Sequence, residues 1–211
     1  MRTIWLLVLF MLSGCANPFV QFYKDGTGGV DLAKSSSVVL PGGEPKLVQG
    51  ADVASDTQRM LEDGYSRVGY SLFNAATVDK DDALTQAKAV HAEIVIVYTN
   101  KAAARTECLA NYWIKMKPPV FGVHVQDLTT ELRINNGTKK GVYVLAVVKD
   151  SPASRAGIVR GDIVRKIGDI EVNEAATLRD TVGKLAGQKV TVEVWRAHQE
   201  LQKEVQLEQS K

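Results

Sequence analysis

The sequence is short of the residues from which most catalytic and metal centres are built. Its 211 residues include two cysteines, Cys15 and Cys108, and three histidines, His91, His124 and His198. Two thiols make neither a disulfide scaffold nor a four-thiolate zinc site, and the histidines show no ligand spacing. No Gly-x-Ser-x-Gly elbow is present to raise a nucleophilic serine. A surplus of one charge is also lacking: 26 Lys+Arg stand against 24 Asp+Glu, a formal net charge of +2. Nucleic-acid binders carry a basic stripe, and disordered chains combine high net charge with low hydrophobicity, so both classes are excluded. Hydrophobic residues at 45% and charged residues at 24% are ordinary for a folded chain. Long apolar runs are absent apart from the nine residues 4–12. As a helix that run rises only about 14 Å, against a hydrocarbon core of ~30 Å. Neither a cofactor nor a metal is called for.

The apolar run follows Arg2 and ends in the small residues Ser13 and Gly14, the pattern of a secretory signal peptide over residues 1–14. Leu12-Ser13-Gly14-Cys15 resembles the lipobox of bacterial lipoproteins. That resemblance implies cleavage before Cys15 and a diacylglycerol on its thiol, with palmitate-like chains that anchor the protein permanently. One acyl chain alone holds only marginally, so several are needed. Ala16, not aspartate, follows the cysteine. In enterobacterial lipoproteins this implies an outer-membrane protein facing the periplasm of a Gram-negative envelope. The alternative is an ordinary signal peptide that happens to contain a cysteine.

Residues 15–50 read as a lipidated, flexible tether, because Asp25-Gly26-Thr27-Gly28-Gly29, Ser35-Ser36-Ser37 and Pro41-Gly42-Gly43-Glu44-Pro45 interrupt regular structure. Within it, Val38-Val39-Leu40 is long enough to dock as an edge strand. Residues 51–117 read as a small α/β unit. A helix capped by Ser55 or Asp56 would end at Gly64, with a β-prone stretch over residues 65–73. Asp81-Asp82 would open a second helix, its acids well placed against the dipole. The apolar stretch 93–98 predicts a strand covered on both faces, and residues 110–117 another. Pro118-Pro119 marks a boundary, because consecutive prolines stop helix and ladder alike.

Residues 118–208 form a separate domain. Val120-Phe121-Gly122-Val123-His124-Val125 reads as a strand with a glycine near its start. Residues 142–148 are a second strand. Ser151 caps a short helix with Pro152 at its first position and Gly157 at its end. Gly161-Asp162 and Gly168-Asp169 turn into strands at 163–167 and 170–172. Residues 175–186 form a helix with Leu178, Val182 and Leu185 on one face, and residues 190–195 and 201–207 close as a hairpin.

Ser151-Pro152-Ala153 and Ala156-Gly157-Ile158, followed by Gly161-Asp162-Ile163-Val164, resemble the PDZ family in the permuted form of bacterial HtrA-type proteases. Val120-Phe121-Gly122-Val123 is similar to that family's carboxylate-binding loop. Residues 133–137 depart from it, being more polar than such domains hold there. The fold class expected is thus α+β: a small N-terminal α/β unit followed by a PDZ-like, partly open β-barrel with two helices.

A glycine turn that aims successive amides at one point holds a carboxylate without a charged side chain, and a free strand edge accepts an extended peptide. The expected peptide-binding residues are Val120, Phe121, Gly122, Val123, His124, Val125, Leu178 and Val182. Phe121 and Val123 are also readable as plain core, and His124 as an exposed strand residue. The implied partners are protein C-termini or extended peptides, the membrane through the N-terminal lipid, and an envelope protease or secretion component; nucleic acid is not among them. The function expected is that of a non-enzymatic adaptor, scaffold or sensor. A structural role in envelope or secretion assembly, through self-association, and regulation of a separate protease are the alternatives. His91 reads as a helix C-terminal residue and Cys108 as a buried or lightly exposed thiol, with an intermolecular disulfide the alternative.

Overall fold

The computed structural model describes residues 17–102 and 104–210. Cys15 and the signal segment lie outside the described residues. From Asn17 onward the backbone is committed. Asn17 Oδ1 accepts from Phe19 N at 2.9 Å and caps the single turn α1 (Pro18–Gln21), while its amide donates to Asp82 O at 2.8 Å. Phe19 is fully buried and meets Phe73 edge-on, with ring centroids 4.9 Å apart.

The first unit then runs β1 (Tyr23–Asp25), β2 (Lys46–Gln49), α2 (Val53–Glu62), β3 (Tyr65–Ala75), α3 (Asp82–Ala89), β4 (Ile94–Ala102) and β5 (Arg105–Lys115). These strands form one sheet in the order β1-β3-β5-β4-β2. Only β2 and β4 pair in parallel; the other ladders are antiparallel. The expectation of a flexible tether over residues 15–50 is therefore corrected from Asn17 onward. β1 and β2 are the two edges of the sheet, and Val38 bridges Met116. Strands of three and four residues carry too little alternation to stand out between glycines and prolines.

Side-chain alternation gives the sheet two different faces. On one, Val95 and Val97 of β4 join Cys108, Ala110, Tyr112 and Ile114 of β5 beneath α1 and α3. On the other, Ile96 and Trp113 pack under Met60 of α2. After Glu93 the 93–98 stretch is nearly continuously apolar because both sides of the strand are covered. Helix α2 starts earlier than expected, because Asp52 rather than Ser55 or Asp56 is its cap, accepting from Ser55 N at 2.8 Å.

The second unit comprises β6 (Val123–Asp127), α4 (Thr130–Asn136), β7 (Val142–Val147), α5 (Pro152–Arg155), β8 (Ile163–Ile167), β9 (Ile170–Glu171), α6 (Ala175–Lys184), β10 (Lys189–Arg196) and β11 (Gln199–Gln206). The sheet path is β11-β10-β8-β7-β6, with β9 paired to β8 off the path. This open sheet corrects the expected partly open barrel. The two ends of the path approach through one backbone bond, Glu208 N to Val120 O at 3.0 Å.

Three helices, not two, belong to this unit. Helix α4 escaped notice because it has no apolar stripe: its Ile134 is 74% exposed. It is nevertheless capped at both ends, by Thr129, which accepts from Leu132 N at 3.2 Å, and by left-handed Gly137. Asp162, fully buried, pins the turn into β8 by pairing with Arg196 at 2.5 and 2.8 Å. The core lies between the sheet and α6, around Val144, Val164, Ile167, Leu178 and Val192.

The two units touch through α2. Lys149 N donates to Glu62 O at 2.8 Å, and Lys149 Nζ meets Asp63 at 2.6 Å. Because Phe19 belongs to the first core rather than to a tether, Phe19→Ala should cost about 3–5 kcal/mol. Urea unfolding of the chain from residue 16 onward measures this, and a free tether would register no loss.

Candidate functional site

The geometry of residues 120–123 follows from where three carbonyls go. Val120 O accepts from Glu208 N at 3.0 Å, Phe121 O from Ala153 N at 2.9 Å and Gly122 O from Val148 N at 2.9 Å. In a trans peptide the N–H points opposite to the C=O of the same plane, and no peptide bond among the described residues is cis. The N–H groups of Phe121, Gly122 and Val123 are thus turned away from the scaffold. Among the described residues none of the three has a backbone acceptor outside the ladders.

Gly122 is required at this turn. Its φ is +94°, and a Cβ there would collide with Cβ and Oγ of Ser151. Ser151 does two jobs: it caps α5 by accepting from Ser154 N at 3.3 Å, and its hydroxyl donates to Gly122 O at 3.4 Å.

Strand β6 is the last in its sheet. Val123 pairs with Val147, and because Gly122 O takes the Val148 N–H, this is a non-hydrogen-bonded pair. The N–H and C=O of Val123 therefore point away from β7, to the side where no strand follows among the described residues. A register shift lies between His124 and Val125. Helix α6 lies beside this edge. Its first turn is fixed by Asp127, whose carboxylate accepts from Ala175 N at 2.7 Å.

Phe121 and Leu178 are buried in the core, while Val120, Val123, Val125, Val182 and Leu185 pack against it partly exposed. Half-open apolar surface between β6 and α6 thus adjoins the outward amides. Val120 gives its carbonyl to the scaffold, and its side chain packs partly exposed against the core.

His124 goes elsewhere, which corrects its inclusion with the groove residues. Its ring is half-buried on the other face of β6, beside the backbone of Leu61 at the end of α2. The alternation of the strand sends it there. Reasoning from sequence missed Asp127, which has no local signal because its partner lies 48 residues away. It found Ser151 as a helix cap but not as the wall behind Gly122.

The remaining titratable groups fall outside this site. His91 is exposed just after α3, and His198 sits in the β10–β11 turn with its ring 6.4 Å from Trp195. Cys108 is fully buried, and burial pushes its thiol up to about 11. The alternative of an intermolecular disulfide is corrected, because the sulfur is out of reach of solvent. Among the described residues no cluster of three or more His, Cys, Asp or Glu is placed to hold a metal.

Comparison with known proteins falls on this same unit. Residues 119–207 match the PDZ domain family. A probable periplasmic serine endoprotease, DegP-like, of Rickettsia conorii is 36% identical over 85 residues, covering 39% of this chain and 17% of that protein. Its counterpart in Brucella suis is 32% identical over 79 residues, covering 36% and 15%. The chain therefore spans less than a fifth of the length of these relatives. A crystal structure of the HtrA3 PDZ domain bound to a phage-derived ligand shares 27% identity, covering 43% of this chain and 85% of that one, with a TM-score of 0.38. An HtrA-type protease with a tripeptide shares 24%, covering 46% and 39%, with a TM-score of 0.36. Residues 119–207 are a PDZ domain homologous to those of HtrA- and DegP-type proteins.

Burial holds the His124 imidazole below the usual histidine range, and the nearby Leu61 backbone only partly opposes this. As pH falls below ~6.5 the unfolded chain takes up a proton first. The stability this site contributes is complete above that pH and is lost as pH drops toward the lowered native value. Urea unfolding at about pH 7.5 and about pH 5.5 should show a larger loss for wild-type protein than for His124→Gln. Equal losses would mean a solvated ring.

Proposed function

We propose that this protein is a membrane-anchored lipoprotein facing the periplasm of a Gram-negative envelope, and that its PDZ domain captures C-termini or exposed strands of partner proteins. It carries out no catalysis of its own and acts as an adaptor or sensor. The observation that supports this best is the set of three outward amides, at Phe121, Gly122 and Val123, beside a strand edge with no neighbour among the described residues.

A terminal carboxylate accepts these N–H groups. Hydrogen bonds to a charged acceptor each contribute about 1.5–3 kcal/mol when the donors are preorganised. The ligand's preceding backbone N–H pairs with the outward C=O of Val123, and the ligand continues along Val125. Its last side chain enters between Phe121, Val123, Leu178 and Val182, where burial of an apolar group adds roughly 1.5–3 kcal/mol. The bound peptide seen with HtrA-type relatives agrees with this use. The absence of a serine elbow from the sequence supports a role without catalysis. The sequence Leu12-Ser13-Gly14-Cys15 supports the anchor.

Fluorescence anisotropy against a peptide library tests the reading. Amidating the C-terminus of a bound peptide should weaken it at least about tenfold, the loss of one charge-assisted bond. Gly122→Ala would disturb the turn itself, so Val182→Glu is the informative variant. Its side chain is half-exposed at the groove, and it should weaken binding comparably while leaving the unfolding midpoint near wild type. Binding indifferent to both changes defeats the proposal.

A further inference from the structure

The first unit has a side that the PDZ domain does not use, and its residues fit a lipid surface. This rests on the anchoring reading above. Two peptide units separate Cys15 from Asn17, so their Cα atoms lie at most about 8 Å apart. Asn17 is not free to move from the fold: it is bonded to Asp82 O and to Phe19 N. A lipid on Cys15 therefore brings the folded body onto the bilayer, with no slack to hang away from it.

The residues at that point suit the place. From Cys15 to Tyr23 the chain carries no charged side chain. Helix α1 sorts its apolar groups in two directions. Phe19 is buried, while Val20 and Phe22, which follow it, are 48% and 44% exposed. Phe22 is backed by Phe73, their rings stacked 6.0 Å apart, so it is held outward rather than folded away. Apolar groups held outward beside an acyl anchor gain free energy in the headgroup layer that they lack in water. Asp82, at the start of α3, adjoins Asn17 through its backbone carbonyl, so the contact proposed here is carried by the apolar groups of α1 rather than by basic side chains.

The rest of the molecule allows this orientation. Helix α1 covers the sheet face formed by Val95, Val97 and Tyr112, whereas α2 covers the opposite face and carries the contacts to the PDZ domain. We infer that the α1 face of the first unit lies against the leaflet that holds the anchor, with Val20 and Phe22 in its interfacial layer and the peptide groove turned away from lipid.

Depth-dependent quenching tests this on the full lipoprotein. The protein is extracted from the envelope and reconstituted into phosphatidylethanolamine–phosphatidylglycerol vesicles with brominated acyl chains. An environment-sensitive dye is placed at Val20→Cys, Phe22→Cys or, beside the α2 contact, Val159→Cys. Cys108 is buried and a lipidated Cys15 has no free thiol, so the dye reports one position. Labels at 20 and 22 should be quenched at least about twofold relative to the label at 159. Should Phe22→Cys loosen the stack on Phe73, Val20→Cys reads the surface alone. Quenching equal at all positions, or lacking at 20 and 22, overturns the inference and leaves the anchor standing. The intact mass of the extracted protein reads the anchor separately: a mass without diacylglycerol removes the anchor and this inference together.

Discussion

A peptide plane that gives its carbonyl to one side must offer its N–H to the other. At residues 120–123 three successive planes are locked this way, and the acceptors are claimed by three separate parts of the fold. Glu208 lies beyond β11, Ala153 in α5 and Val148 just after β7. The amide cluster is therefore not a property of the local sequence Val120-Phe121-Gly122-Val123. It exists only when segments from both ends of the domain are in place. A loop built from one short segment would lose its shape to chain entropy, about 1–2 kcal/mol per residue ordered. Here each plane is fixed by a hydrogen bond that the fold makes in any case.

The first unit reaches into this scaffold. The end of α2 accepts from Lys149 N and meets the same residue's ammonium, two positions before Ser151. It also lies beside His124, two positions after Gly122. The turn that holds the amides is thus flanked on both strands by contacts to α2. The ion pair is exposed and adds little, because solvent screens it. The backbone bond and the burial of His124 are the stronger part of that contact.

Much of the PDZ domain was legible because its signals are local. Ser151 with Pro152 states a helix start, Gly157 its end, and Asp162 after Gly161 a turn; each position is read within a few residues. Helix α6 announced itself by Leu178 and Val182 at helical spacing. What failed was non-local. The edge strands at residues 23–25 and 46–49 have their partners in β3 and β4, so nothing near them distinguishes a sheet edge from a linker. The side of β6 on which His124 lies depends on a unit folded from residues before it. The sequence alternates, Val123 and Val125 against His124 and Gln126, but the burial of both faces is uniform because α2 adjoins the polar one, and that cover is not written in the strand. The same holds for Asp127, whose role as a cap for α6 is visible only once β6 and α6 are adjacent.

The layering has a consequence for how tight the groove needs to be. The units are joined through Pro118 and Pro119, which limit backbone freedom, and Met116 and Lys117 on the approach are themselves bonded to Gly64 and Ser37. On the proposed anchoring, the groove is therefore held at a nearly fixed height above the leaflet instead of sweeping a large volume. Confinement to a thin layer raises the effective concentration of any partner tail that reaches the same layer, by the logic that makes short linkers equivalent to millimolar ligand. A groove that binds a free peptide weakly then suffices for capture near the membrane, and release needs no active step. An unconfined groove would need higher intrinsic affinity for the same occupancy and would release each tail more slowly.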